Sequence, residues 1–480
     1  MQFTETNIAE LFGHEAAEDE DIQRLKSYYL KGSIYDNIAN ELPIRILVGH
    51  KGIGKSALFR VAISEETQDK KLSILIKPND ISDLTFNNDN FLSLIRDWKS
   101  GIFDILSKKV IDNFGVQQTG WKSSLNNYGG KLIDFLQETL RADRYANLDP
   151  TKKFVLDSFL TSGNIYVYMD DLDRGWRGNE ADVRNISALL NAVRDIASEN
   201  RGVHFRISLR SDVYYLVRTS DESTDKIEGS VVWLSWQNHE ILALLVKRVE
   251  QYFGVARNAE ELFSLPPKKL AQPLDRIMAP TFNGRGHWSN IPTYRMLMSL
   301  VRKRPRDLVK LCTLAARDAQ NTMNDKITSE NFNNIFEEYS QGRLQDTINE
   351  YRSELPEIER LLLGMRPTTV EKRTKQGYYY NTANLLKKIR NVQQSGVFKF
   401  HNGKFPDERD LASFLYKINF ITARKDAGEY IDRKYFEENR YLSSKFADFG
   451  YDWEVHPAYR WALQPGSLRD IFDNIKPSND

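Results

Sequence analysis

"GHKGIGKS", residues 49–56, directly follows the apolar run Ile44-Arg45-Ile46-Leu47-Val48 and directly precedes Ala57-Leu58-Phe59-Arg60-Val61. Gly49, four residues, then Gly54, Lys55 and Ser56 is a pattern with mechanical meaning in that setting: a strand, a glycine-rich loop and a helix. Glycines let successive backbone N–H groups turn inward around a polyphosphate, and the helix N-terminus adds the positive end of its dipole. The candidate cradle is Gly49, Gly52, Ile53, Gly54, Lys55, Ser56 and Ala57. From it, Lys55 can reach the β- and γ-phosphates and the Ser56 hydroxyl can ligate Mg²⁺.

Four more runs have strand character: "LSILIKP" (72–78), "IYVYM" (165–169), "VHFRISL" (203–209) and "SVVWLSW" (230–236). They are short, apolar and rich in β-branched or aromatic residues, as buried strands are. Residues 88–160 read as largely helical, with Leu92, Ile95, Trp98, Ile102 and Leu106 on one face. Strands alternating with helical stretches imply an α/β fold, a parallel sheet covered by helices, with the phosphate loop at the carboxyl ends of the strands. Ahead of it, residues 1–40 form a helical extension, in which Glu15, Glu18, Asp19, Glu20 and Asp21 precede Ile22, Leu25, Tyr29 and Ile34 at roughly helical spacing.

"IYVYMDDLDRGW" (165–176) places two acids at a strand end. Beside a phosphate loop, Asp170 would hold the Mg²⁺ water shell and Asp171 could orient or deprotonate an attacking water. An apolar strand running into an ordinary solvated turn has the same pattern. Asp173 and Arg174 are expected to pair with each other at the surface.

Together, "GHKGIGKS" and "MDDLDR" resemble the KAP and STAND-related P-loop ATPases, and in particular a bacterial group whose acidic box reads DDLD[RK]GW. The resemblance runs from about residue 10 to residue 465 and is most specific at these two motifs. It implies an ATPase core over 41–240, a helical lid over 241–345 and a winged-helix-like domain over 346–480. In "SLRSDVY" (208–214) it assigns Arg210 to sensing the terminal phosphate, although Arg210 could equally pair with Asp212. In "RPRDLVKLC" (304–312) it makes Arg306 the first choice for a second sensor and Arg304 the next; an ordinary helix start at Pro305 is the alternative. A cation at the γ-phosphate stabilises transition-state charge and distinguishes ATP from ADP.

The later segments agree with that layout. "HEILALLVKRVEQYF" (239–253) and "TYRMLMSLVRKRPRDLVKLCTLAARDAQ" (293–320) are amphipathic helices, with Met296 and Met298 as core filling. "DERDLASFLYKINFITAR" (407–424) reads as helix then strand, "GEYIDRKYF" (428–436) as a second strand, and "WEVHPAYRWAL" (453–463) as a closing helix. In STAND-like proteins a histidine of this module can touch the β-phosphate of ADP. His456 sits at a similar place, with Pro457 where an aspartate usually follows, and a structural histidine is the other reading.

Composition sets bounds on partners. A chain of 480 residues with 41% hydrophobic and 28% charged residues holds several domains, and a net charge of +1 gives no global pull towards nucleic acid or membrane. Locally, Arg366, Lys372, Arg373, Lys375, Lys387, Lys388, Arg390, Lys399 and Lys404 face the single acid Glu371 across residues 366–404. Interleaved with Tyr378, Tyr379 and Tyr380, they could form a cationic surface with stacking platforms for nucleic acid. Cys312 is the only cysteine, which excludes a disulfide framework or cysteine metal cluster. The N-terminal "MQFTETNIAELFGHE" lacks a basic or apolar leader, and no apolar run is long enough for a membrane span. A cytoplasmic protein without membrane contact is expected. No Asn-Lys-x-Asp selects guanine, so ATP is expected over GTP, and neither HExxH nor Gly-x-Ser-x-Gly occurs. Two functions fit: a slow Mg²⁺-dependent ATPase switch whose ATP or ADP state controls self-association or a separate effector, plausible in bacterial antiphage defence by resemblance alone, and a nucleic-acid-binding ATPase of the initiator or loader type.

Overall fold

Five parallel strands carry the phosphate loop in the computed structural model: β1 (Ile44–Val48), β2 (Leu72–Ile76), β3 (Ile165–Met169), β4 (Val203–Leu209) and β5 (Val231–Trp233), in the order β2-β3-β4-β1-β5. The structure describes residues 2–82, 84, 90–114, 132–142, 150–220, 222–373, 377–426, 428, 430–439, 442, 450–465 and 471. All five expected strands are present. Within the stretch 88–160, helices run over Phe91–Phe114, Leu132–Ala142 and Pro150–Ser162, and the remainder lies mostly outside the described residues.

The central strands β3 and β4 are buried at every position, as required when helices cover both sheet faces. Side chains alternate between two cores. Ile46, Val48, Val167 and Met169 meet the helices Phe91–Phe114 and Glu180–Glu199 on one side. Leu47, Tyr166 and Tyr168 meet the helix Lys55–Gln68 and the N-terminal Leu25, Tyr28 and Ile38 on the other. Register levels the strand ends: Val48 lies opposite Leu209 and Trp233, and Met169 opposite Ile207 and Ile76. Because β4 separates β1 from β3, the loop after β1 and the acids after β3 face each other across residues 208–210.

The helices Asn238–Tyr252, Thr293–Leu300, Pro305–Asn321 and Ser329–Tyr351, in the segment expected as a lid and called that below, share a core with the N-terminal helix Glu5–Phe12, whose Ile8, Leu11 and Phe12 are buried. A short pair of antiparallel two-residue strands, β6 (Thr281–Phe282) with β7 (Ile291–Pro292), lies in the same region, and Met296 and Met298 lie in that core. The first 40 residues thus divide: Glu5–Phe12 joins the lid, and the helices Ile22–Tyr28 and Ser33–Ala39 join the sheet. The helix Ser329–Tyr351 continues from one core into the next. Phe332, Phe336 and Tyr339 lie in the lid core, and Leu344, Ile348 and Tyr351 in the C-terminal core.

That C-terminal unit combines the helices Thr382–Gln393 and Glu408–Lys417 with an antiparallel sheet. Its strands are β8 (Tyr379–Tyr380), β9 (Ile421–Asp426), β10 (Ile431–Lys434) and β11 (Asp452–Val455), in the order β10-β9-β11-β8. The expected closing helix over 453–463 is replaced by β11, and the α-helical part shrinks to Arg460–Leu463. Trp453 and Val455 are better satisfied as sheet residues, both buried against the helices.

Phe336, fully buried with its ring stacked 4.8 Å from Trp461, ties the lid to the end of the C-terminal unit. Phe336→Ala is expected to cost about 3–5 kcal/mol, read as a lowered urea midpoint for the lid transition.

Candidate nucleotide site

The phosphate loop has the backbone its glycines were expected to supply. Gly52 and Gly54 take left-handed φ values of 78° and 109°. A Cβ on Gly52 would also come within 3.1 Å of the Arg306 side chain. The helix Lys55–Gln68 begins with Gly54 at its N-cap and no side-chain cap, so its first-turn N–H groups have no competing side-chain acceptor there. Lys55 Nζ donates to the carbonyls of Gly49 at 2.8 Å and His50 at 3.2 Å. Burial lowers the Lys55 pKa, against the opposing pull of Asp173, Asp170 and Glu350.

Across the cleft, Asp170 is almost buried at the end of β3 and accepts from the Ser208 hydroxyl and from Asp171 N–H at 3.0 Å. Asp171 adopts φ 59° in a turn closed by Arg174 N–H to Asp171 C=O at 3.0 Å. Partial burial and the Asp170 charge raise the Asp171 pKa, the direction that makes a carboxylate a better proton acceptor. Ser56 and Asp170 are a hydroxyl and a carboxylate on the same cleft. Such a pair suits Mg²⁺ arriving with phosphate oxygens and water. Among the described residues no cluster of three or more His, Cys, Asp or Glu could hold a resident metal ion.

The expected Asp173–Arg174 pair does not form. The turn directs Asp173 inward, 7% exposed, where its Oδ2 lies 3.3 Å from Arg210 Nε, and leaves Arg174 exposed along the cleft. Arg210 lines the cleft and is also held by Asp212, at 3.1 and 2.7 Å, and by the Glu350 carbonyl at 2.7 Å. Burial alone would lower its pKa, but Asp212, Glu350 and Asp173 hold it above the ordinary arginine value. Arg210 thus faces the cleft and forms the expected pair with Asp212.

Arg306 packs on the loop, its N–H 3.4 Å from Gly52 O and its Nε donating to Glu15 O at 3.2 Å. Arg304 is buried behind the loop, bound to Glu350 at 3.0 Å and to Lys51 O at 3.3 Å. His456 stands apart from the cleft. Its Nδ1 accepts from Ala458 N–H at 3.1 Å, its Nε2 meets the Tyr435 hydroxyl at 2.8 Å, and burial drives its pKa well down.

The cleft measures 740 Å³. Part of its wall had no motif to announce it: Leu25 and Tyr28 from the N-terminal helix, and Arg248 from the first lid helix, with its guanidinium 4.3 Å from the Tyr28 ring centroid. Trp236 donates to Ile53 O at 2.8 Å. The opposite side of the loop is equally structured. His50 meets the Tyr351 hydroxyl at 2.8 Å, Ser211 at 3.0 Å, Asn419 at 3.1 Å and the Glu437 carboxylate. Burial would raise the Glu437 pKa, but His50 and Asn419 hold it down at about 2.

The basic segment is not a set of stacking platforms. Tyr378 and Tyr380 are buried in the C-terminal core, and Tyr379 lies 4.1 Å beneath the Arg424 guanidinium. Aromatic residues next to a helix start were needed there as core. Lys388 pairs with Glu371, Arg390 with Glu408 and Lys404 with Asp410, while Lys375 lies outside the described residues.

Strand order, glycine-rich loop and facing acids define an α/β protein of the P-loop NTPase class. A family model for the FunZ-associated C-terminal helical domain matches residues 240–348. An 80.3 kDa protein of Escherichia coli (strain K12) named after transposon gamma-delta is 22% identical, covering 98% of this chain and 70% of its own length. Among solved structures, the Walker-type ATPase paby2304 of Pyrococcus abyssi is similar over 90% of this chain and 93% of its own, at 12% identity and a TM-score of 0.39. The Aeropyrum pernix ORC2 protein in its ADPNP-ADP complexes is similar over 92% and 91%, at 12% identity and a TM-score of 0.40. No helix among the described residues is long and apolar enough to cross a membrane.

His50→Ala should leave Glu437 buried without its ring partner, at a cost of about 3 kcal/mol, seen as a lower melting temperature by calorimetry. Adding Glu437→Gln should recover much of the loss. Lys55→Ala, at the cleft itself, is expected to lower nucleotide affinity at least about tenfold by titration calorimetry.

Proposed function

We propose that the chain is a Mg²⁺-dependent ATPase acting as a nucleotide-controlled switch. The observation that supports this best is the composition of the cleft: phosphate loop, sheet-end acids, lid arginine and N-terminal segment line one cavity. A ligand bound there touches several parts at once. In this reading Lys55 engages the β- and γ-phosphates, Ser56 and Asp170 hold Mg²⁺, and Asp171 orients or deprotonates the water that attacks the terminal phosphorus. Mg²⁺ bound with ATP would neutralise developing phosphate charge. Arg210 and Arg306 sense the terminal phosphate from the sheet side and the lid side.

Turnover is slow in this scheme, because Arg210 is already tied to Asp212, Asp173 and the Glu350 carbonyl and must exchange partners to serve the transition state. The two P-loop motifs support kinship with the KAP and STAND-related group, and the order helix, β8, two helices, hairpin and β11 supports a winged-helix-like C-terminal unit. A cytoplasmic switch of that kind would control self-association or a separate effector, with antiphage defence as its setting. Nucleotide or trigger moves such an equilibrium only by binding the two states differently.

Sedimentation of the wild type and Asp171→Asn with Mg²⁺-ATP or Mg²⁺-ADP, alongside phosphate release, tests this. Asp171→Asn is expected to lower phosphate release at least about a hundredfold and to persist in the ATP-dependent form. Identical sedimentation in ATP and ADP, with hydrolysis appearing only on addition of a DNA duplex, would transfer the case to a nucleic-acid-dependent ATPase.

A further inference from the structure

Asp173 is a cleft residue that belongs to neither the phosphate loop nor the candidate metal pair. It is 7% exposed, and its Oδ2 accepts no hydrogen bond in the protein while lying 3.3 Å from Arg210 Nε. Asp212 already takes the Arg210 guanidinium through both carboxylate oxygens, so Asp173 is not needed to neutralise it. The two acids differ in place, since Asp173 lines the cleft and Asp212 does not. Lys55 lines the same cleft, and the Asp173 charge favours its charged form. One buried carboxylate therefore shares the cleft with the two cations that would meet a terminal phosphate, in contact with Arg210.

Such a carboxylate is expensive as mere structure. A buried anion lacking hydrogen bonds is destabilising unless fully compensated. Compensation here is partial: burial pushes the Asp173 pKa up to about 6 in spite of Arg210 and Lys55. Its placement makes sense if another anion is meant to replace it. Carboxylate and phosphoryl oxygens present the same acceptors to a guanidinium.

We propose that Asp173 is a positioning residue that occupies the counter-ion place a nucleoside triphosphate's terminal phosphate takes over, so that Arg210 changes partner with triphosphate and not with diphosphate. This rests on the ATPase reading above. With a diphosphate bound, the Asp173–Arg210 pair persists. With a triphosphate, the carboxylate must yield Arg210, and its negative charge counts against binding. Asp173 thereby sets the preference between the two nucleotides while Arg210 reads it.

The test is calorimetric titration of a non-hydrolysable ATP analogue and of ADP, each with Mg²⁺, into wild type, Asp173→Asn, Arg210→Gln and the double variant. In Asp173→Asn the analogue is expected to bind about tenfold tighter, the scale of one neighbouring charge removed, with ADP affinity changed less than about twofold. In the Arg210→Gln background the same substitution should shift the ratio by clearly less. A gain in affinity is a result that loss of a structural residue does not produce. Equal weakening of both nucleotides in Asp173→Asn, or an undiminished shift without Arg210, overturns the proposal. Should Asp173→Asn fold poorly, Asp173→Ser gives the same comparison, and a melting temperature below wild type for both marks the residue as structural and also overturns it. Wild type binding neither nucleotide would instead remove the ATPase reading, and this proposal with it.

Discussion

The back of the phosphate loop is clasped by buried polar groups, and the arrangement of the whole chain depends on that clasp. Glu350 accepts from Lys51 N–H at 3.2 Å and from Arg304 at 3.0 Å, and Arg304 reaches the Lys51 carbonyl. Burial works against the Glu350 carboxylate, but Arg304, Arg210 and His50 hold its pKa far below the usual range. Next to it, His50 joins Tyr351, Ser211, Asn419 and Glu437. Buried charges are tolerated only while paired. The loop therefore shifts together with the lid helix and the C-terminal unit, or those pairs break.

A second buried cluster fixes the start of the helix Pro305–Asn321. Asp307 takes Arg302 through two contacts, at 2.6 and 2.9 Å, and Arg343 at 2.6 Å, and Arg302 also donates to Thr347 and to the Tyr459 hydroxyl. The residue before it in sequence, Arg306, is the one that packs on Gly52. Two adjacent positions of one helix thus have opposite duties. Asp307 anchors the helix to the interior, and Arg306 presents a cation to the cleft.

Much of the sheet and the cleft was legible in the sequence, because both rest on local chemistry. Five apolar runs of strand length became five strands, and "GHKGIGKS" with "MDDLD" came to face each other because β4 lies between their strands. Other features depended on long-range packing that no window of sequence contains. Asp173 looked like a surface residue until the turn after Asp171 directed it inward. The three consecutive tyrosines looked like platforms until β8 paired with β11 and buried two of them. His456 could be recognised as a histidine in a suggestive place, but the partners that engage both its nitrogens lie at Tyr435 and Ala458. The lining from Tyr28 and Arg248 brings together residues more than two hundred positions apart, each unremarkable alone.

The helix Ser329–Tyr351 has 23 residues, so at 1.5 Å per residue it is a rod about 35 Å long. One end is pinned to the phosphate loop through Glu350 and Tyr351, and its body passes through two hydrophobic cores. A stiff rod packed along its length moves as one piece, so it acts as a lever on the core at its far end. A tilt of only about 10° at the loop would carry the distal end about 6 Å, by the length of the rod alone. Movements at the loop too small to see as domain motion would thereby be magnified at the far end of the helix, near Thr328.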